Sequence, residues 1–217
     1  MIRFASFICL AIAAWFWGDA ALVYGKAQLA PVLIRAAWVD TLEDGAPVKP
    51  WPWADTWPVA RLQVAALGID QYVLYGANGA SLPFGPGHLT GTAVPGRDGT
   101  VIIAAHRDTH FAFLPDLKPW HEIRVQGQNG LIRTYRLKAQ EIVDARNSLL
   151  EAVPATDQLI LVTCEPTDML RYRGPWRLVV IAEELLADGR GTLSPAHSAG
   201  DKEGGEQLMR ISAGGLN

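Results

Sequence analysis

Two continuous apolar runs constrain this chain more than any other feature, because each has the length of a buried β-strand and ends abruptly on a reactive side chain. TVIIAA (100–105) is followed by His106, and LILVT (159–163) is followed by Cys164. Apolar runs without alternation are typical of strands that are buried on both faces. Pro166 cannot continue the strand ladder after Cys164. The sequence therefore predicts two interior strands that present a histidine and a cysteine at the rim of a sheet.

Three further stretches contain the residue types of β-strands. Residues 59–76 are divided by Gly68 into two strand-length pieces, and residues 123–144 contain a Gln-Asn-Gly hairpin signal. Residues 176–185 form another apolar run. The stretch 76–99 is rich in glycine and proline, and we expect it to be a loop. Several short strands with few helices predict an all-β fold, either a barrel or a sandwich.

Residues 1–26 form an apolar segment for which two roles fit. Phe4–Tyr24 contains one charged residue, Asp19, near its end, and it is about long enough to span a bilayer as a signal anchor. The basic start at Arg3 and the small residues after the apolar run also fit a cleaved secretory signal peptide. We favour the transmembrane anchor. Both alternatives predict that the rest of the chain lies outside the cytoplasm.

Composition divides the rest of the chain into three parts. Residues 27–58 combine a juxtamembrane helix, predicted over 29–45, with a Pro/Trp-rich linker over 46–58. We expect the tryptophan rings of that linker to pack on the domain surface. The all-β domain covers 59–186. The tail, 187–217, is rich in Gly, Ser and charged residues, and we expect it to be disordered.

Charge and cysteine content exclude several classes of protein. The formal net charge is −3 and there is no run of Lys or Arg, so we expect no nucleic-acid partner. Of the two cysteines, Cys9 lies in the N-terminal apolar segment, so we expect no disulfide and a free thiol at Cys164. One cysteine outside that segment and scattered histidines do not give the spacing of zinc ligands. We therefore predict no metal and no other cofactor.

The histidine and the cysteine have a structural and a catalytic interpretation. Each alone is more often a buried core residue than a catalytic group. Together they favour catalysis, because a thiol needs a nearby imidazole or cation to become a reactive thiolate. Arg177 opens the strand that follows and would face Cys164 if the two strands are neighbours, where its guanidinium could stabilise an oxyanion. Arg171 and Arg173 in the intervening loop are rivals for this role.

Three motifs give the chain a family resemblance. TVIIAAHRDTHF around His106, LVTC at 161–164 and WRLVVIAE at 176–183 resemble the three signatures of sortases in order and in spacing. HLTGTAVPGRDG (88–99) resembles the stretch that leads into the histidine strand of that family. The match covers about 59–184. With its anchor and its Trp/Pro linker, the chain most resembles the single-anchor sortases of Gram-negative, often marine, proteobacteria.

The resemblance implies a closed eight-stranded β-barrel with short helices and cysteine transpeptidase chemistry. Cys164 would attack a backbone carbonyl of an LPxTG-like C-terminal sorting signal, and an amine acceptor in the cell envelope would resolve the thioester. His106 would protonate the leaving amine and deprotonate the incoming one, while Arg177 would hold the substrate and its oxyanion. Thr163 and Asp108 are further candidates for shaping the substrate-binding site, although Asp108 fits a turn equally well.

The resemblance also implies a location. We expect a single-pass protein of the cytoplasmic (inner) membrane whose catalytic domain lies on the periplasmic side. One residue departs from the family pattern, because Ala105 precedes His106 where many of the relatives it resembles have glycine. The chain has no LPxTG of its own, since residues 82–85 (LPFG) lack the threonine, and it therefore resembles the enzyme and not the substrate.

Other interpretations fit the sequence less well. A peptidoglycan L,D-transpeptidase would show a Ser/His-Gly-Cys motif with an arginine close after the cysteine, which VTCEPTD lacks. A papain-like protease would place its cysteine near the start of a helix, whereas Cys164 ends a predicted strand. The alternative to an enzyme is a membrane-tethered β-barrel binding module without catalysis, in which Cys164 is an inert core thiol.

Overall fold

The computed structural model describes residues 15–17, 28–146, 157–164, 174–187 and 193–195. Residues 15–17 are helical and exposed, and the rest of the apolar segment predicted as an anchor lies outside the described residues. Within the described ranges, no helix is both long and apolar enough to cross a membrane. The transmembrane anchor therefore stays a prediction.

One long helix and nine strands make up most of the described chain. Helix α1 covers 28–44, close to the helix predicted over 29–45. Two 3₁₀ helices, Ala65–Leu67 and Leu114–Asp116, lie in the connections between strands. The strands are β1 (Pro58–Val64), β2 (Ile69–Tyr75), β3 (Gly87–His88), β4 (Val101–Ala104), β5 (Glu122–Gly127), β6 (Ile132–Asp144), β7 (Gln158–Cys164), β8 (Trp176–Ala187) and β9 (Leu193–Pro195).

Eight of these strands close into a barrel, which confirms the fold implied by the resemblance. Their order is β6-β5-β1-β2-β3-β4-β7-β8, and β8 pairs back onto β6 in antiparallel register, with Tyr135 opposite Glu184. A register shift between Leu137 and Ala139 marks a bulge in β6, a feature that increases local twist and helps a sheet to curve. The sandwich alternative is therefore wrong.

The ninth strand is not part of the closed barrel. β9 pairs with the end of β8, with Leu185 opposite Pro195. It falls within 187–217, the segment that we predicted to be a disordered tail. Most of that tail lies outside the described residues, so its predicted disorder stays a prediction.

β4 and β7 are buried on both faces, as their continuous apolar runs predicted. Alternate residues of β4 belong to the barrel core (Val101 and Ile103) and to a smaller cluster on the opposite face of the strand. Burial of such a side chain contributes ~1.5–3 kcal/mol relative to exposure, so these strands are strongly fixed in register. We call the smaller set the outer cluster; its buried members are Ile102, Ala104, Ile160, Val162 and Val179.

Helix α1 packs against β2 through an apolar face. Ile34, Ala37 and Trp38 are buried, and the Trp38 ring lies 6.2 Å from the ring of Tyr72. Their spacing of three and four residues places them on one side of the helix. The segment before the barrel is therefore held against the outside of β2, next to the rim of the sheet.

The Pro/Trp-rich linker uses two of its three tryptophans as packing anchors. Trp57 stacks on Tyr75 at a centroid distance of 4.1 Å, and Trp51 contacts the edge of Phe84 at 5.3 Å. These contacts confirm that the linker lies on the domain surface. Trp53 is 80% exposed, so the prediction does not extend to this ring.

β3 is a strand that the sequence did not predict. It lies within 76–99, which we expected to be a loop, and it pairs in parallel with β2 and in antiparallel with β4. Two residues are too few to show any alternation of apolar and polar side chains. Gly87 is closely surrounded there, since an added Cβ would collide with the carbonyl oxygen of Gly76 and lie 2.8 Å from Cα of Ala77.

We expect Gly87→Ala to lower the free energy of unfolding by about 1–3 kcal/mol, because the methyl group must displace backbone atoms of Gly76 and Ala77, just after β2. Urea denaturation measures this change. Gly79→Ala is the matched control, since its added Cβ meets nothing within 4 Å and its effect should stay within ~0.5 kcal/mol. Equal effects of the two substitutions would contradict the close packing of β3.

Candidate active site

The parallel pairing of β4 with β7 brings the predicted histidine and cysteine to the same rim. Ala104 lies opposite Val162, and the pairing continues for one more residue, because Ala105 N–H donates to the carbonyl of Val162 at 3.1 Å. His106 and Cys164 each follow the Ala104–Val162 pair by two residues. Parallel strands finish in the same direction, so both residues lie where the sheet ends.

β8 adds the predicted arginine to this rim. Arg177 lies directly opposite Cys164 in the antiparallel register of β7 and β8, which confirms that the two strands are neighbours. Its Nη1 donates to the carbonyls of Gly174 and Trp176 at 2.9 and 3.0 Å. These two hydrogen bonds to the backbone at and just before the start of β8 hold the guanidinium group in place beside Cys164.

One small pocket contains all three predicted side chains. It also contains Leu82, a buried residue that sequence reasoning missed. Leu82 belongs to a turn in which its N–H donates to the carbonyl of Asn78 at 3.0 Å. Turn residues show no periodicity, so no pattern in the sequence indicates this position. The pocket is lined by Leu82, Ala104, Ala105, His106, Val162, Thr163, Cys164 and Arg177.

The exposure of the thiol decides between the two interpretations of the cysteine. Cys164 is a free and exposed cysteine, and His106 is exposed as well. A core thiol would be buried, as Val162 and Thr163 are on the same strand. Cys164 therefore occupies a position from which it can react with a molecule in solution.

The buried side chain of Thr163 connects the ends of β4 and β7. It is 2% exposed, and its hydroxyl donates to the carbonyl of Ala105 at 2.8 Å. Ala105 is buried as well, and its carbonyl accepts this hydrogen bond. The bond joins the residue before Cys164 to the residue before His106. Thr163 therefore positions both strand ends.

The remaining candidates have different positions. Asp108 lies in the turn after His106 and accepts a hydrogen bond from Nε of Arg107 at 2.8 Å, which agrees with the turn interpretation. The rival arginines, Arg171 and Arg173, lie outside the described residues. Within the ranges that are described, no group of three or more His, Cys, Asp or Glu side chains is arranged to hold a metal ion.

His110 is a second histidine near the site. Phe111 N–H donates to the carbonyl of His106 at 3.1 Å, so the turn brings His110 back towards His106. Burial and the nearby charge of His106 lower the pKa of His110, which favours its neutral form. Its carbonyl accepts a hydrogen bond from Nε2 of Gln71 on β2 at 2.9 Å. His110 therefore links the site to β2.

Comparison with known proteins identifies the same region of the chain. The family model that describes the sortase domain matches residues 62–185. Sortase D of Bacillus subtilis (strain 168) is 26% identical over 106 residues, which are 48% of this chain and 53% of that protein. The chain thus spans about half the length of this curated relative.

Solved structures of similar proteins share the fold. Sortase A from Corynebacterium diphtheriae is 28% identical with a TM-score of 0.53, and the match covers 63% of this chain and 65% of that one. Group B Streptococcus Pilus Island 1 Sortase C2 is 26% identical with a TM-score of 0.51, covering 59% of this chain and 74% of that one.

We expect Thr163→Val to reduce the rate at which iodoacetamide alkylates Cys164, because the bond that joins the two strand ends is lost. It should also lower the free energy of unfolding by ~1 kcal/mol. Thr56→Val is the matched control, since Thr56 is equally buried and donates to the carbonyl of Tyr75 at 2.7 Å, away from the pocket. An equal loss of alkylation rate in both variants would show that Thr163 acts through stability alone.

Proposed function

This chain belongs to the sortase family, and we propose that it is a cysteine transpeptidase in which Cys164 carries the acyl group. The observation that supports this proposal is the exposed thiol of Cys164, which faces Arg177 in register and shares a pocket with His106. Acyl transfer by a thiol requires these three groups: a nucleophile, a proton carrier and a donor for the oxyanion.

The reaction proceeds in two halves. The Cys164 thiolate attacks a peptide carbonyl of the substrate, and the guanidinium of Arg177 stabilises the oxyanion of the tetrahedral intermediate. The C–N bond breaks, His106 gives its proton to the leaving amine, and a thioester remains on Cys164. An acceptor amine then attacks the thioester carbonyl, His106 takes the proton of that amine, and the C–S bond breaks to regenerate the thiolate.

The proposed acyl donor is a protein with an LPxTG-like C-terminal sorting signal. The apolar lining of the Cys164 pocket supports this choice, because Leu82, Ala104 and Val162 border it together with Cys164. Val162 lies two residues from Cys164, and side chains two apart on a strand share a face. The leucine and proline of such a signal would pack on this apolar lining beside Cys164.

The proposed location is the cytoplasmic (inner) membrane, with the catalytic domain on its periplasmic side. The support is the apolar character of Phe4–Tyr24, which is about long enough to cross a bilayer, and the aromatic residues Trp15, Trp17 and Tyr24 that suit an interface. An amine acceptor in the cell envelope would be within reach of a domain held there. The single-anchor proteobacterial subtype belongs to the same proposal.

The test is to incubate the full chain in detergent micelles with a Leu-Pro-x-Thr-Gly peptide and hydroxylamine, and to follow the protein and peptide masses. We expect a thioester adduct on the wild type and a hydroxamate-capped peptide, both absent in Cys164→Ala. Arg177→Lys should slow product formation about 10²–10³-fold, because lysine cannot reproduce the planar guanidinium donors. Arg124→Lys on β5 is the matched control at an exposed position outside the pocket.

A negative result is interpreted by alkylating the same sample with iodoacetamide. A reactive Cys164 without peptide cleavage would reject the LPxTG-like signal and leave the catalytic centre standing. An unreactive, protected Cys164 would overturn the proposal and favour a non-catalytic binding module.

A further inference from the structure

We propose that the cleft between α1 and β2 binds the amine acceptor, and that this acceptor is a peptide with a free α-amine and a carboxylate. The inference rests on the transfer reaction proposed above. The cleft has a volume of about 380 Å³ and is bordered by Ile34 and Arg35 of α1, by Gln71 and Tyr72 of β2, and by His110. A volume of this size is typical of small-ligand sites.

The cleft opens at the same rim as Cys164. Across the sheet, Leu74 pairs with Gly87 and Gly87 pairs with Ala104. β2 and β4 run in opposite directions, since β3 is parallel to the first and antiparallel to the second. Two residues from this row towards the rim therefore lie Tyr72 on β2 and His106 after β4. Because Tyr72 borders the cleft and His106 borders the Cys164 pocket, the two openings are side by side at one end of the barrel.

A single turn segment separates the two openings. Leu82 borders the Cys164 pocket, whereas Phe84 and Pro86 border the cleft. His110, which also borders the cleft, is the histidine that the turn brings back towards His106. An acceptor lying in the cleft would therefore reach the thioester from the side of His106, the group that must take its proton.

The size of the Cys164 pocket explains why the acceptor needs a separate site. Its free space is about 20 Å³, which is enough for about one water molecule. The thioester and the adjoining residue of the acyl donor would fill this space. A second substrate must then be bound outside the pocket and still present its amine at Cys164, which the neighbouring cleft allows.

The polar groups of the cleft indicate the chemistry of its ligand. Oε1 of Gln71 is buried and has no hydrogen-bond partner in the part of the chain that the structure describes, while Nε2 of the same amide donates to the carbonyl of His110. A ligand N–H would satisfy this acceptor, because buried polar atoms in proteins are almost always paired. The carboxylate of Asp70 also borders the cleft, but Arg61 already holds it, with Nε at 2.8 Å from Oδ1.

Arg35 adds a positive charge at the cleft. Its side chain is exposed on α1 and borders the cleft, where the hydrogen bond from Arg61 and, to a smaller extent, the charge of Arg35 lower the pKa of Asp70. A guanidinium in this position suits a carboxylate. Apolar walls, an acceptor for an N–H and a cation for a carboxylate together fit a short peptide whose free amine extends towards Cys164.

The first test needs no acyl donor. Bromoacetyl-diglycine and bromoacetamide carry the same electrophilic carbon, and in both the Cys164 thiolate displaces bromide, but only the first has glycines to enter the cleft. The measured quantity is the ratio of the alkylation rate with bromoacetyl-diglycine to the rate with bromoacetamide. We expect this ratio to be higher for Cys164 of the full-length wild type in detergent micelles than for free cysteine, and we call the excess the preference. Gln71→Met and Arg35→Gln should each reduce this preference about fivefold, the effect of one lost polar contact.

The control is Gln140→Met. The amide of Gln140 also donates to a backbone carbonyl, that of Leu114, but the residue does not border the cleft, so the wild-type preference should be kept. Arg35 is exposed on a helix, so Arg35→Gln should fold even if Gln71→Met does not. No preference in the wild type, or an unchanged preference in both cleft variants, would overturn the inference.

The second test separates this inference from the proposed reaction. The thioester formed with a Leu-Pro-x-Thr-Gly peptide is allowed to react with triglycine and hydroxylamine in the same sample. Hydroxylamine is too small to need the cleft, so it serves as the reference nucleophile. We expect Gln71→Met and Arg35→Gln to lower the ratio of triglycine product to hydroxamate about fivefold, and Arg35→Gln to have less effect on triglycine amide. Absence of any thioester in the wild type contradicts the proposed donor and not the cleft. A normal thioester with an unchanged product ratio contradicts the cleft.

Discussion

The parallel pairing of β4 with β7 is the interaction on which the candidate site depends. His106 and Cys164 each follow the Ala104–Val162 pair by two residues, so the pairing brings both to the same rim. The buried hydroxyl of Thr163 then bonds to the carbonyl of Ala105 and fixes the two strand ends to each other. A register slip of one residue would turn the thiol to the opposite face of the strand. Burial of both strands on both faces makes such a slip costly, because each apolar side chain would leave its place in the core.

The sequence predicted the strands that carry the site better than the surroundings of the site. Continuous apolar runs identified β4 and β7, and the abrupt change to His106 and Cys164 located the rim. Barrel closure through β6 and β8 came only from the family resemblance, because pairing between distant strands leaves no local pattern. β3 and Leu82 were missed because a two-residue strand and a turn have no periodicity. The cleft arises from the packing of α1 on β2, which no single segment encodes.

The rim of the barrel has two surfaces of different chemistry. The Cys164 pocket has an apolar lining that includes Leu82, Ala104 and Val162, which suits an extended peptide with leucine and proline. The cleft beside α1 has the cation Arg35 and a Gln71 oxygen with no hydrogen-bond partner among the described residues, which suits the charged peptide end proposed as acceptor. In the proposed reaction, the two substrates would approach the thioester on Cys164 from different sides, without competing for the same contacts. Helix α1 precedes the barrel in the chain, so the segment before the barrel borders the cleft proposed for the acceptor.

Whether His106 and Cys164 form one reactive unit is tested most directly by the rate of Cys164 alkylation by iodoacetamide between pH 5 and pH 10, a range on the order of five units that spans the usual pKa values of imidazole and thiol. The wild type is compared with His106→Gln, and neither needs a peptide substrate. A thiolate supported by a neighbouring imidazole predicts that the two pH profiles differ in shape and that the variant reacts more slowly near neutral pH. Superimposable profiles would show that His106 has no influence on the thiol and would contradict a shared catalytic centre at this rim.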